Sequence, residues 1–435
     1  MLKDSLVWLN YVSNLNIELL QSRDEGRDIS GFEERVQQIQ SMDSNNPEKD
    51  KAAESLYDEI AKIPVKSKYE FYEPSDLENI KKSRPKSGIG IISNVYDLSD
   101  DQLFDKVYGA WLGRCSGCLL GKPLEGWHRG KITRLLKDTD NYPVRYYISS
   151  DISEEIVNKY DMHSMHSNFS WINKIECAPE DDDTNYTLIG LKILEKYGKN
   201  FTPDDVAETW LSNLPLLHVC TAERVAYRNL VNLVFPPFSA IYRNPYREWI
   251  GAQIRADFFG YVNPGNPGLS SEMAWRDASI SHIKNGIYGE MFVAAMLSTA
   301  FTSTNIEEII NVGLSQIPES SRLYKEIKAM LLWEKESITR ESAIDRVHNK
   351  YNEKNSHDWC HTISNAVIVC IGLLYGELDF EKSIGIAVSA GFDTDCNCAT
   401  VGSIVGMIVG AKALPGKWIK PLNDKLKSGV CALAK

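Results

Sequence analysis

The sequence lacks an excess of positive charge, a second cysteine pair, an apolar start and runs of alternating β-branched residues, and each absence removes a class of protein. Its 435 residues carry 48 Lys and Arg against 59 Asp and Glu, a formal charge of −11. Tracking along nucleic acid needs clustered basic side chains, so that role is excluded. A phosphorylated small ligand is not excluded, because backbone N–H groups and metal ions supply local positive potential. The opening MLKDSLVWLN places Lys3 and Asp4 where a secretory signal would be apolar, so a cytoplasmic protein is expected. Nine cysteines, an odd number without the spacing of a small disulfide scaffold, agree with a reducing compartment. Cys115 and Cys118 form a C-x-x-C pair, but no second pair completes a four-thiolate zinc site, so they read as small buried apolar residues. The apolar stretch 399–415 is broken by glycines and Lys412 and preceded by Asp393 and Asp395, which predicts a buried helix and no membrane span.

What remains is helical periodicity. Residues 1–97 read as an extension of two or three amphipathic helices, broken at 41–47, with a Pro- and Lys-containing connector from 63 to about 90. From residue 98 to 435 the pattern is helix after helix, so the predicted class is all-α. Asp100 is a candidate cap for DQLFDKVYGAWLGRCSGCLLG, and Asp183 or a neighbour for TNYTLIGLKILEKYG, which Gly198 closes. NGIYGEMFVAAMLSTAF, HTISNAVIVCIGLLYG, FEKSIGIAVSAG and CATVGSIVGMIVGA complete an apolar helical set. Gly109, Gly113, Gly117 and Gly121 lie on one face of the first helix, and Gly402, Gly406 and Gly410 on one face of the last. Each glycine costs about 1 kcal/mol against alanine inside a helix, so the stripes need a compensating close approach between helices.

Two acid-rich helix starts carry the chemistry. Glu180, Asp181, Asp182 and Asp183 precede one helix; Asp393 and Asp395 in GFDTDC precede another. One or two acids at a helix N-terminus are explained by capping and the helix dipole. Three or four repel one another unless a cation sits among them. Carboxylate oxygens without nearby histidine suit Mg²⁺, or Mn²⁺, better than zinc. Glu125, held at a helix end between Pro123 and Trp127, is a candidate general acid or base.

These segments resemble, in order, those of the ADP-ribosylglycohydrolase family. GAWLGRCSGCLLGKPLEGW is similar to its glycine-rich opening helix, PEDDDTNYTL to its first metal motif and AGFDTDCNCATVG to its second. WIGAQIR resembles its phosphate-binding loop and DASISHIKNGIYG the segment with a ligand-contacting histidine. The resemblance implies a compact orthogonal bundle of helices preceded by a helical extension. It also implies two Mg²⁺ ions, the first on Asp181, Asp182, Asp183 and Asp395, the second on Asp393 and Asp395. Cys396 stands where relatives carry a threonine ligand, which weakens the second position or admits water there. Glu125, Asp182 and Asp183 would be the catalytic carboxylates. Gly251, Ala252, Gln253, Arg255, His282 and Tyr288 would contact the substrate, with Arg255 either fixing the loop or meeting phosphate. The implied activity is hydrolysis of the glycosidic bond between ADP-ribose and a modified protein side chain or other acceptor. An N-glycosidase acting on a free nucleoside or nucleotide, or a non-catalytic member of the fold, are the alternatives. The wall that would distinguish acceptors falls in loops such as 144–171.

Overall fold

The computed structural model describes residues 2–86, 97–162 and 168–431; the end of the expected connector and residues 163–167 lie outside them. Among the described residues the only β-structure is three isolated bridges, and the rest is helix and turn, the expected all-α class.

The extension forms three principal helices, α1 (Tyr11–Asp24), α2 (Phe32–Ser41) and α3 (Glu48–Ile60). Their apolar residues recur three or four apart, so Leu15 and Leu19, Val36 and Ile39, and Leu56 and Ile60 close on one another as a small core of their own. The opposite edge of α1 is polar and also buried. Glu18 and Gln21 on it, and Glu25 at its C-terminal cap, bind Arg247 and Glu248 of the rest of the protein.

Eight further helices position the site: α4 (Asp100–Gly121), α5 (Asp182–Tyr197), α6 (Thr221–Val231), α7 (Pro267–Ala278), α8 (Lys284–Ala300), α9 (Thr362–Gly376), α10 (Phe380–Ala390) and α11 (Thr394–Val409). The α4 cap is Ser99 rather than the expected Asp100. Its hydroxyl accepts from Gln102 N while Gln102 Oε1 accepts from Ser99 N at 2.8 Å, a reciprocal box that Asp100, already helical, cannot form. Helix α8 is buried along its length and forms the centre of the large core. No described helix is long and apolar enough to cross a membrane, and residues 399–415 lie mostly within buried α11.

The two glycine stripes meet each other. Helices α4 and α11 run antiparallel, with Gly109 against Gly406, Gly113 against Gly402, Gly117 against Cys398 and Gly121 against Thr394. A Cβ at Gly113 or Gly117 would run into the backbone carbonyl opposite. Backbone-to-backbone packing and Cα–H···O contacts offset the propensity cost of the glycines. Thr394 Oγ1 donates to Gly121 O at 2.9 Å, fixing the register. The C-terminal end of α4 is thereby seated beside the N-terminal end of α11, which brings Lys122 and Glu125 to Asp393 and Asp395.

Candidate metal centre and substrate cavity

The start of α5 divides its three aspartates among three tasks. Asp181 is the cap, extended at φ −155°, with Oδ1 accepting from Asp183 N at 2.9 Å. Asp183 is turned inward onto Arg114, whose Nη2 meets its Oδ1 at 3.1 Å and its carbonyl at 2.6 Å. The same guanidinium binds Ile254 O at 2.6 Å and Asp257 at 2.7 Å, tying the glycine helix to α5 and to the loop before residue 255. Asp182 is left half-buried and facing the cavity.

At the other acid motif, Gly391 (φ 79°) and Phe392 (φ 58°) turn the chain in the left-handed region just before Asp393. Asn365 Oδ1 accepts from Asp393 N at 3.1 Å and from Asn397 at 2.8 Å, so the turn is held from behind. Asp393 and Asp395 stand within hydrogen-bonding reach of each other, an arrangement two ionised carboxylates tolerate only with a proton or a cation between them.

Both motifs converge on an inner cavity of 320 Å³ lined by Glu125, Asp182, Glu223, Gly251, Asp393 and Asp395 among others. It adjoins an outer one of 960 Å³ that shares Lys122, Glu125 and Asp182 and reaches Phe169 and Leu217. Lys122 Nζ lies 2.8 Å from Glu125 Oε2, 2.8 Å from Asp181 Oδ2 and 3.3 Å from Asp395 Oδ2. Within the GKPLEGW segment this lysine carries no sequence signal; only convergence of three segments gives it a role.

The crowding sets the proton affinities. Burial, with the Asp395 charge adding and Lys122 opposing, pushes Glu125 up to about 7, although its side chain keeps 38% of its surface. Burial and Asp181 push Asp182 up to about 7. Asp183 and Asp393 are driven well above the carboxylate range by burial and by neighbouring aspartates. Burial works against the charge on Asp181 as well, but Lys122 and the Asp183 N–H hold it below its ordinary value. A divalent cation fits this set. Asp183 Oδ2 and Asp395 Oδ1 are buried with no donor reaching them, and a group of acidic oxygens is the surrounding that hard ions prefer. Cys396 lines the same cavity, and burial pushes its thiol well above the usual range, so it offers neutral sulfur. Its ligand atom lies within 4.8 Å of those of Asp393 and Asp395, as does that of Cys118 to Asp181 and Asp183.

The proposed substrate residues separate. Gly251 lines the inner cavity, and a Cβ on it would strike the Glu223 carboxylate. Ala252, Gln253 and Arg255 are buried behind it. Arg255 is spent on the protein: it meets Glu223 at 2.6 Å, Gly251 O and Ser281 Oγ at 3.1 Å, and Asp277 more closely still. These contacts tie the loop at Gly251 to α6 and α7. His282 is fully buried, bonded through Nδ1 to Ser281 Oγ at 2.8 Å, and burial with the Arg255 charge keeps it neutral. Tyr288 lies away from both cavities, its hydroxyl donating to Pro74 O, so it anchors the connector instead. Its turn of α8 faces the buried layer of Glu73, Glu248 and Arg322.

The extension, which lies outside the segments that carry the resemblance, also reaches the site: Val7, Trp8, Asn14 and Ile17 line the inner cavity. Trp8 lies under the Arg224 guanidinium, 4.5 Å from ring centre to Cζ, which fixes its indole against α6. Sequence patterning gave no signal for this, nor for Arg114 or Glu223.

Comparison with known proteins adds three findings. The family model described as ADP-ribosylglycohydrolase matches residues 99–435. No curated protein matches the chain. A solved structure described as an ADP-ribosylglycohydrolase-related protein complex is similar at 18% identity and a TM-score of 0.47, over 74% of this chain and 93% of that one.

Proposed function

The chain belongs to the ADP-ribosylglycohydrolase family, and we propose that it is a divalent-metal-dependent hydrolase releasing ADP-ribose from a modified protein side chain or another ADP-ribosylated acceptor. The observation that carries this reading is the meeting of Asp182, Asp393 and Asp395 with Glu125 at one cavity. In the reaction, water oxygen forms a bond to the anomeric carbon as the bond to the acceptor nitrogen or oxygen breaks, and the acceptor leaves with a proton.

Asp182, Asp183, Asp393 and Asp395 would hold Mg²⁺ or Mn²⁺. The bound ion would supply Lewis acidity and orient the ribose hydroxyls and water. Glu125, pushed up to about 7, exchanges a proton near neutrality, as a general acid or base must. Asp182, the other candidate, would stay ionised while it holds the ion and act on the water beside it. Glu125 is shared by the inner and outer cavities, which suits it to meet the bond between ribose and acceptor. Gly251 lets a pyrophosphate approach backbone N–H groups. Trp8 covers the same chamber.

A panel of ADP-ribosylated arginine, serine and nucleobase substrates, with and without Mg²⁺, tests the reading. Mg²⁺-dependent release of ADP-ribose from at least one is expected, and release from none of them overturns it.

A further inference from the structure

We infer that Lys122 occupies the position of one of the two cations implied by the acid motifs, so that this chain holds a single divalent ion. The inference rests on the reading of Asp182, Asp183, Asp393 and Asp395 as metal ligands.

Two ions sharing a site sit ~3.5–4 Å apart, and an aspartate serving both must give one oxygen to each. Asp395 is the residue placed to do so, but its Oδ2 is 3.3 Å from Lys122 Nζ, and only Oδ1 remains without a donor. Asp181 gives Oδ1 to Asp183 N, and its Oδ2, buried without a hydrogen bond, faces the Lys122 ammonium at 2.8 Å, so a cation is already against it. Asp183 gives Oδ1 to Arg114 and keeps Oδ2. Asp183 Oδ2 and Asp395 Oδ1, with the Asp182 and Asp393 carboxylates that line the cavity, would serve one ion that keeps part of its water shell, as Mg²⁺ does.

Lys122 is also poorly placed to leave. It directly follows α4, whose glycine face is locked against α11, and its side chain is only 17% exposed. Its ammonium bridges the first acid motif, the second and Glu125, so it already performs the charge compensation a second ion would bring. A second ion would have to displace it or sit against it, and like charges in a shielded pocket oppose that. Neutral sulfur at Cys396, with Cys360 Sγ 3.7 Å from Asp393 Oδ2, makes the displaced position a poor one for a hard ion.

The test is metal stoichiometry on the full-length protein with Mn²⁺ as the probe. Elemental analysis after desalting and electron paramagnetic resonance are read on wild type, Lys122→Met, Lys122→Gln and Lys122→Arg. Wild type and Lys122→Arg are expected to hold one Mn²⁺ per chain with an isolated six-line spectrum. The two neutral variants are expected to take up two, with an exchange-coupled spectrum. Two coupled ions in wild type overturn the inference and leave the proposed hydrolase standing. A single ion in folded Lys122→Met or Lys122→Gln also overturns it. No bound ion in any variant removes the metal reading itself, and the inference with it.

Discussion

In the extension, the face that α1 turns into the protein carries Glu18 and Gln21, with Glu25 capping its end; in α4, the face turned inward carries Gly109, Gly113 and Gly117. Both faces are buried, by opposite means. The extension docks through charge. Arg247 spans Glu18 at 2.7 Å and Glu25 at 2.6 Å, and Arg322 spans Glu73 at 2.9 Å and Glu248 at 2.7 Å. The glycine helices dock through backbone contact with almost no side chain between them. A buried ion pair adds little net stability but is strongly directional, whereas close backbone packing is tolerant of charge and intolerant of volume. The first device aims Trp8 and Ile17 at the cavity; the second sets the spacing of the acid motifs.

The largest effect that would break this contrast is expected at Arg247. Arg247→Ala leaves Glu18 buried without a cation, while Glu25 keeps Lys284 at 3.0 Å, so the loss falls at the lower end of about 3–5 kcal/mol. Denaturant unfolding followed by limited proteolysis should show residues before 60 cleaved first while the helices after residue 98 stay protected. If the whole chain unfolds in one step with a small loss, the extension is not held as argued.

Gly117→Ala probes the other device. A single methyl group against the Cys398 carbonyl forces the helices apart, at about 1–3 kcal/mol. The loss should be accompanied by weaker Mn²⁺ binding, because α4, which holds Asp183 through Arg114, moves away from Asp395 on α11. Unchanged metal affinity with lowered stability would mean that the zipper supports the fold and not the site.

The same contrast explains what could be read in advance. The glycine spacing of four announced a packing face, and two acid-rich helix starts announced a crowd of carboxylates, because both are local patterns with a local cost. Their partners were not legible: Gly113 does not encode Gly402, and Lys122 gains meaning only when residues 125, 181 and 395 arrive around it. Glu18, Gln21 and Glu25 lie three and four apart, a spacing that in any sequence describes a solvated stripe. Here Arg247 and Gln21's contact with Glu248 bury it. Tyr288 was assigned with the cavity because its neighbours in sequence matched a motif, while the turn of α8 carries its hydroxyl to Pro74.

The smallest expected effects compare the two walls of the inner cavity, Trp8 from the extension and Glu223 from α6. Trp8→Ala removes an aromatic contact worth about 0.5–1.5 kcal/mol, so KM for the ADP-ribosyl substrate should rise up to ~10-fold with kcat little changed, equally at pH 6 and pH 8. Glu223 behaves differently because burial, partly opposed by Arg255, raises it from 4.5 to about 7. The folded protein therefore keeps a proton there that the unfolded chain loses near 4.5. The stabilisation is complete below that value and is lost as pH rises through about 7. On the proposed reading, a pyrophosphate at Gly251 would meet a neutral Glu223 carboxyl below 7 and a charged one above it. KM in wild type should climb between pH 6 and pH 8, and Glu223→Gln should flatten both that climb and the matching fall in thermal stability. A Glu223→Gln profile that rises as steeply as wild type would place the titrating group elsewhere in the cavity and return Trp8 and Glu223 to the same role.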